Sequence, residues 1–179
     1  MNATTTNEEV ILVNEQDEML GTMEKVEAHR RGVLHRAFSV FLFDDDGRVL
    51  LQQRAASKYH SASLWTNTCC SHPRSGEELI LGAERRLLEE MGLSTTLDHR
   101  FTFTYKAEVG NGLTEHELDH VFFGRTNDTP KPDPTEVHEW RYVEVHELSA
   151  ELAAHPERFT AWLHICWPLV CDQLLERRA

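Results

Sequence analysis

The chain contains no Cys-x-x-Cys pair, which argues against a zinc ribbon. Its four cysteines are Cys69, Cys70, Cys166 and Cys171. Cys69 and Cys70 are neighbours, and strand neighbours point to opposite faces, so these two are poorly placed to pair. No apolar run approaches the roughly 18 residues of a membrane span. Met1 to Glu9 is polar and lacks an apolar h-region, so no export signal is expected. The thiols are then expected to be reduced, in a cytoplasmic setting. Positive charge is scarce: Lys and Arg number 18 against 30 Asp and Glu, a net charge of −12. That argues against nucleic acid or an anionic membrane surface as a partner. An anionic substrate would need a locally basic pocket or bound cations. There is no internal repeat and no low-complexity tract.

The composition is that of an ordinary folded chain. With 179 residues, 40% hydrophobic and 27% charged, it is long enough for one domain with a sizeable core. Val10 to Val13 reads as a strand and Lys25 to Arg31 as a helical turn. Ala37 to Phe43 is a strong strand that returns through Asp44-Asp45-Asp46-Gly47 into Val49 to Gln53. Leu64 to Cys70 reads as extended. The clearest helix is Glu77 to Met91, where Ile80, Ala83, Leu87 and Met91 recur at helical spacing and Gly92 stops the run. Phe101 to Val109 and Glu115 to Arg125 read as two long strands around Gly110-Asn111-Gly112. After a Pro- and Asp-rich loop come a short strand, Trp140 to Val143, and two helices. These are placed near Glu147 to Ala154 and Thr160 to Arg177, with Pro168 kinking or dividing the second. Strands in the middle bracketed by helices predict an α/β chain of the α+β kind.

Two short motifs carry chemistry. Cys70-Ser71-His72 places a thiol and an imidazole on one side of an extended strand, a proton donor or nucleophile beside a metal ligand. Glu115-His116-Glu117 places two carboxylates on one strand face in the same way. Each has an ordinary reading when taken singly: a strand cysteine is usually inert core, and an E-x-E pair is usually solvated. Together they could close one acid–base and metal site.

The helix belongs to a longer pattern. From Ser71 the run Glu77, Arg85-Arg86-Leu87-Leu88-Glu89-Glu90-Met91-Gly92-Leu93 resembles the Nudix box, a loop–helix that binds divalent metal on diphosphate compounds. Ser71 stands where the box has its first Gly, and Arg86 replaces the Glu that follows the box's Arg. Losing that Glu weakens the case for hydrolysis. From Val10 to Trp167 the chain resembles type I isopentenyl-diphosphate isomerase, a Nudix-fold family. The motifs are His35-Arg36-Ala37-Phe38-Ser39, Gln53-Arg54 with Lys58, Trp65-Thr66-Asn67-Thr68-Cys69-Cys70-Ser71-His72-Pro73, the altered box, and Glu115-x-Glu117-x-Asp119.

The resemblance implies a Nudix-like mixed sheet flanked by helices in a single domain. Its core would span about residues 33–167, with residues 1–32 an extension contributing Lys25 and His29. It implies an enzyme that interconverts isopentenyl and dimethylallyl diphosphate for isoprenoid synthesis. Cys70 and Glu117 would exchange protons with the two faces of the substrate, in an order the residues leave open. Tyr105 would support the carboxylate, although a half-buried strand aromatic is as good a reading. Trp162 would face developing positive charge, with Trp65 the alternative. A transition metal, Mn or Zn (Fe being equally compatible by ligand type), would sit among His29, His35, His72, Glu115 and Glu117. His116 and His120 stand in reserve for His29. Glu90 would hold Mg²⁺ against the diphosphate, which Lys25, Arg54, Lys58 and Arg86 would contact together with Cys70. The expected partner is a small diphosphate and the expected state a monomer. A Nudix hydrolase of a nucleoside or other diphosphate is the main alternative, and a catalytically inactive metal-binding module the third.

Overall fold

The computed structural model describes residues 8–176. Met1 to Asn7, on which the export-signal expectation largely rests, and Arg177, the expected end of the last helix, lie outside them. The elements in order are strands β1 (Glu9–Val13) and β2 (Met19–Glu24), helix α1 (Lys25–Arg31), and strands β3 (His35–Phe43), β4 (Val49–Arg54), β5 (Trp65–Thr66) and β6 (Cys69–Ser71). There follow helix α2 (Leu79–Met91), strands β7 (Leu97–Gly110), β8 (Leu113–Arg125) and β9 (Val137–Val143), and helices α3 (Val145–Ala154) and α4 (Ala161–Glu176).

All nine strands join one mixed sheet. β3 is its hub: it runs parallel to β8 from His35↔Glu117 to Phe43↔Arg125 and antiparallel to β6, with Ser39 opposite Cys70. β7 and β8 form a long antiparallel hairpin closed by Gly110, Asn111 and Gly112, all at positive φ. Each sheet face carries a core. Phe38, Val40, Leu42, Cys69 and Phe122 meet Ala83, Leu87 and Met91 of α2. On the other face Phe41, Phe43, Val121 and Phe123 meet Leu163, Trp167 and Val170 of α4. Among the described residues no helix is long and apolar enough to cross a membrane.

Several boundaries differ from the sequence reading, each for a local reason. α2 begins at Leu79 rather than Glu77, because the Glu77 carboxylate accepts from the Arg74 backbone N–H at 2.8 Å and holds the loop short of helical geometry. Gly92 does end α2, at φ 64°, and a Cβ there would lie 2.6 Å from the Lys131 carbonyl oxygen. The stretch from Leu64 to Cys70 divides into β5 and β6, with Asn67 bonding the Val40 and Cys69 carbonyls between them. β7 starts at Leu97, because a bulge near Arg100 lets pairing continue past Phe101. β2, whose Met-Leu-Gly-Thr-Met-Glu lacks alternation, forms only as the exposed partner of β1. Pro168 does not divide α4. It lies on the exposed side, where solvent can serve the carbonyl that its missing N–H leaves unbonded.

Candidate active site

One sheet face changes character along its length. Towards the N-terminal end of β3, odd-numbered residues stop packing as core and line a small cavity. Ser39, Cys70, Tyr105, Glu115 and Glu117 line it from β3, β6, β7 and β8, and Trp162 from α4.

Cys70 and Cys69 divide as strand parity demands. Cys69 is fully buried in the core under α2, whereas Cys70 faces the cavity opposite Ser39. Burial pushes the Cys70 thiol well above its ordinary range, against the pull of the Arg54 charge, so the sulfur holds its proton at neutral pH. Trp162 is oriented by its indole N–H, which donates to Asn67 Oδ1 at 3.2 Å. The Arg54 guanidinium lies 5.2 Å from the Trp162 ring centroid, so this ring already presents a face to positive charge. Trp65, the alternative, packs in the core with Arg141 over its ring at 4.7 Å and does not line the cavity.

The two carboxylates differ. Tyr105 Oη lies 2.9 Å from Glu115 Oε2 and 2.7 Å from Glu117 Oε2, and its single proton can serve only one at a time. Burial, then the Glu117 charge, raises Glu115 well above the carboxylate range. Burial also pushes Glu117 up, but bonds from His35 and His72 outweigh it and hold the group well below that range. One neutral acid and one carboxylate thus stand side by side.

His29, His35, His72 and Glu117 offer ligand atoms that all lie within 4.8 Å of one another. His29 Nε2 and His35 Nε2 are 3.2 Å apart, and His72 Nε2 is 3.0 Å from Glu117 Oε1. His35 Nδ1 faces the Val33 carbonyl at 2.8 Å, which can only accept, so Nδ1 carries a hydrogen and the ring is held with Nε2 towards His29 and Glu117. Tyr59 Oη supports His29 Nδ1 at 3.0 Å. Burial pushes His29 down to about 2 and His72 to about 4, so both rings are neutral, as metal ligands must be. Three imidazoles and a carboxylate are a donor set for a borderline transition metal. Glu115 stands outside this four-residue group, bonded to Tyr105.

The phosphate-binding candidates divide. Lys25 and Arg54 line the cavity, and Lys25 also borders an adjoining cleft lined by Arg74, Arg85 and Arg86. This concentrates cations locally despite the net acidity. Lys58 and Glu90 line neither space. Lys58 pairs with Glu136. The Glu90 carboxylate is buried, taking Arg86 at 2.5 Å on one oxygen and Gln52 at 3.0 Å on the other. The reserve ligands are elsewhere: His116 meets the Gly32 carbonyl, and His120 meets Asp17. His60 had no place in the sequence reading. It lines the cavity 3.5 Å from Glu115 and edge-on to Trp162, and burial lowers it to about 3. It lies in an irregular serine-rich loop, where no periodicity marks a side chain as inward.

Known proteins resemble this chain in sequence and in fold. Residues 33–163 match the NUDIX domain family. The isopentenyl-diphosphate Delta-isomerase of Pectobacterium atrosepticum is 50% identical over 164 residues, 92% of each chain. That of Nocardia farcinica is 49% identical over 86% of this chain and 89% of its own. Among solved structures, DR0079 from Deinococcus radiodurans superposes with a TM-score of 0.75 at 20% identity, covering 90% of this chain and 98% of that one. A MutT protein from Methanosarcina mazei gives 0.64 at 16% identity, over 82% of this chain and 96% of its own. The structural neighbours share the sheet-and-helix fold; the sequence relatives share nearly the whole length as well, and with them this chain belongs to the isopentenyl-diphosphate Delta-isomerase family of NUDIX-domain proteins.

Proposed function

We propose that this protein interconverts isopentenyl diphosphate and dimethylallyl diphosphate, with Cys70 and Glu117 as the proton-exchanging pair. The observation that supports the pair is a half-buried thiol and a buried carboxylate lining one cavity. The reaction adds a proton to one end of the three-carbon unit and removes one from the other. An alkene is a weak base, so its acid must be positioned in a dry site. In each direction one of the pair gives a proton and the other takes one; in the reverse direction the roles exchange. Tyr105 bonds to both carboxylates and can pass a hydrogen bond from one to the other as charge moves. Trp162 faces the positive charge that develops at the branched carbon.

His29, His35, His72 and Glu117 would hold one Mn²⁺ or Zn²⁺, whose charge would fix the carboxylate's orientation and acidity. Mg²⁺ would enter with the diphosphate near Glu90, which must first release Arg86. Lys25, Arg54 and Arg86 would meet the diphosphate, with Lys58 joining if it leaves Glu136. The residues before β3 supply Lys25 and His29, so the extension is part of the site. The partner is a small diphosphate, and a monomer places the whole cavity in one chain.

A diphosphate hydrolase would need the box carboxylate that Arg86 replaces and would have no use for Cys70. Incubation with isopentenyl diphosphate and Mg²⁺ separates the readings. The allylic isomer without released phosphate is expected; phosphate release, or no reaction from metal-replete protein, would overturn the proposal.

A further inference from the structure

A second group of histidines lies on the opposite face of β8. Even-numbered His120 points away from the cavity that odd-numbered Glu115 and Glu117 line. Thr102 is its cross-strand partner on β7. Strict alternation would put His99 on the other face from Thr102. The bulge between His99 and Phe101 inserts one residue and re-aims His99 onto the face of His120, opposite Phe122.

Three donor atoms then converge. His99 Nε2 lies 3.1 Å from Thr102 Oγ1, Thr102 Oγ1 lies 3.0 Å from His120 Nδ1, and the two nitrogens are 3.4 Å apart. A tetrahedral ion with bonds of about 2.0–2.1 Å separates its ligands by about 3.3 Å. The triangle matches one face of that tetrahedron. His120 is also oriented from behind. Its Nε2 is 3.0 Å from Asp17 Oδ2, and Asp17 is fixed by Arg36 through Oδ1 at 2.7 Å and through its carbonyl at 2.7 Å. A carboxylate only accepts, so the His120 hydrogen sits on Nε2 and the lone pair on Nδ1 points into the triangle. Carboxylate, imidazole and open position in a row are the outer-shell arrangement that raises a ligand's basicity. His99 is exposed, which leaves room for waters to complete the shell.

We propose that His99 and His120, with Thr102 beside them, form a second divalent-metal site of the borderline class that Zn²⁺ represents. It is separate from the buried His29, His35, His72 and Glu117 group and does not depend on the reading of that group. Two imidazoles and a hydroxyl give a moderate, exchangeable site, and an ion there ties β7 to β8.

Equilibrium dialysis against Zn²⁺ tests this on the full chain, with metal counted per folded protein. Wild type is expected to take up one more ion than His99→Gln, while His138→Gln, an exposed histidine outside the cluster, matches wild type. Asp17→Asn should keep the extra ion but weaken it by about 10- to 100-fold, as loss of an outer-shell partner does. Metal at the buried group contributes equally to every variant and cancels in the difference. Equal uptake by wild type and His99→Gln, or an unchanged isotherm in Asp17→Asn, would overturn the proposal. Circular dichroism of each variant ensures that lost metal is not lost fold.

Discussion

The two halves of β8 are equally buried and chemically opposite. Val121 and Phe123 are 0% and 2% exposed; Glu115, Glu117 and Asp119, on the same face, are 5%, 7% and 1%. The apolar half stabilises the fold by packing against α4. The acidic half costs stability wherever a charge lacks a partner, and each carboxyl has met that cost differently. Glu117 is ionised against His35 and His72, whereas Glu115 is kept neutral beside Tyr105. Asp119, at the boundary, accepts from Ser39 at 2.7 Å through one oxygen and leaves the other without a bond among the described residues. Burial, then the Glu117 charge, pushes it up to about 8. Half of a strand face that would otherwise be core has been given over to chemistry.

The largest break in this comparison should come from β6. Cys70→Ala should lower turnover by at least about 10⁴-fold, the upper range for one acid–base group, with folding nearly unchanged. Cys69→Ala, in the core, should keep turnover and cost about 1–2 kcal/mol of stability. Steady-state kinetics and urea unfolding on both variants check this. A dead Cys69→Ala with an active Cys70→Ala would reverse the assignment of faces.

Glu117→Gln should come next, at about 10²- to 10⁴-fold in turnover with partial loss of tightly bound metal. Glu115→Gln should cost about tenfold or less, since a Gln side chain resembles the neutral acid already present there. Metal analysis after gel filtration, set beside the rates, separates the two. Similar losses in both variants would mean that the carboxylates act as a unit.

Much of this was legible in the chain itself. Parity alone separates Cys70 from Cys69 and puts Glu115, Glu117 and Asp119 on one face, because a strand's side-chain period is fixed. α2 announced itself through Ala83, Leu87 and Met91, and the hairpin through Gly110-Asn111-Gly112. What could not be read depends on distance between segments. His29 joins His35 and His72 only because α1 packs beside β8, and His60 enters the cavity from an irregular loop. Glu90 reads as a metal ligand on the helix, yet in three dimensions Arg86 and Gln52 hold it. The bulge that brings His99 to His120 has no sequence signature strong enough to predict it.

Asp119→Asn should change turnover only a few-fold, but it should change the pH dependence of stability. A carboxyl raised to about 8 in the fold binds a proton that the unfolded chain gives up near 4, so its stabilisation fades as pH rises between those values. Asn has no proton to lose. The stability of Asp119→Asn relative to wild type should therefore grow from pH 4 to pH 8, by up to about 5 kcal/mol. Urea unfolding across that range gives the curve, and a flat difference would show that Asp119 is ionised in the fold.

The smallest effect on turnover should come from the apolar half. Phe123→Ala should cost about 3–5 kcal/mol of stability and leave the rate per folded molecule unchanged. Parallel measurement of unfolding and of rate normalised to folded protein tests the division. A rate loss matching the Cys70 variant would mean that the two halves of β8 are not separable.

Solvent deuterium tests the central claim most directly. Wild type, Cys70→Ala and Glu117→Gln are each incubated with isopentenyl diphosphate in D₂O, and the label is located by NMR in substrate and product. The account predicts label in wild type at both the carbon that gains a proton and the carbon that loses one. Each variant should lose exchange at the one carbon its missing group faced, with the two variants losing different carbons. Exchange at both carbons at wild-type rate in either variant would contradict the assignment of Cys70 and Glu117 as the proton-exchanging pair.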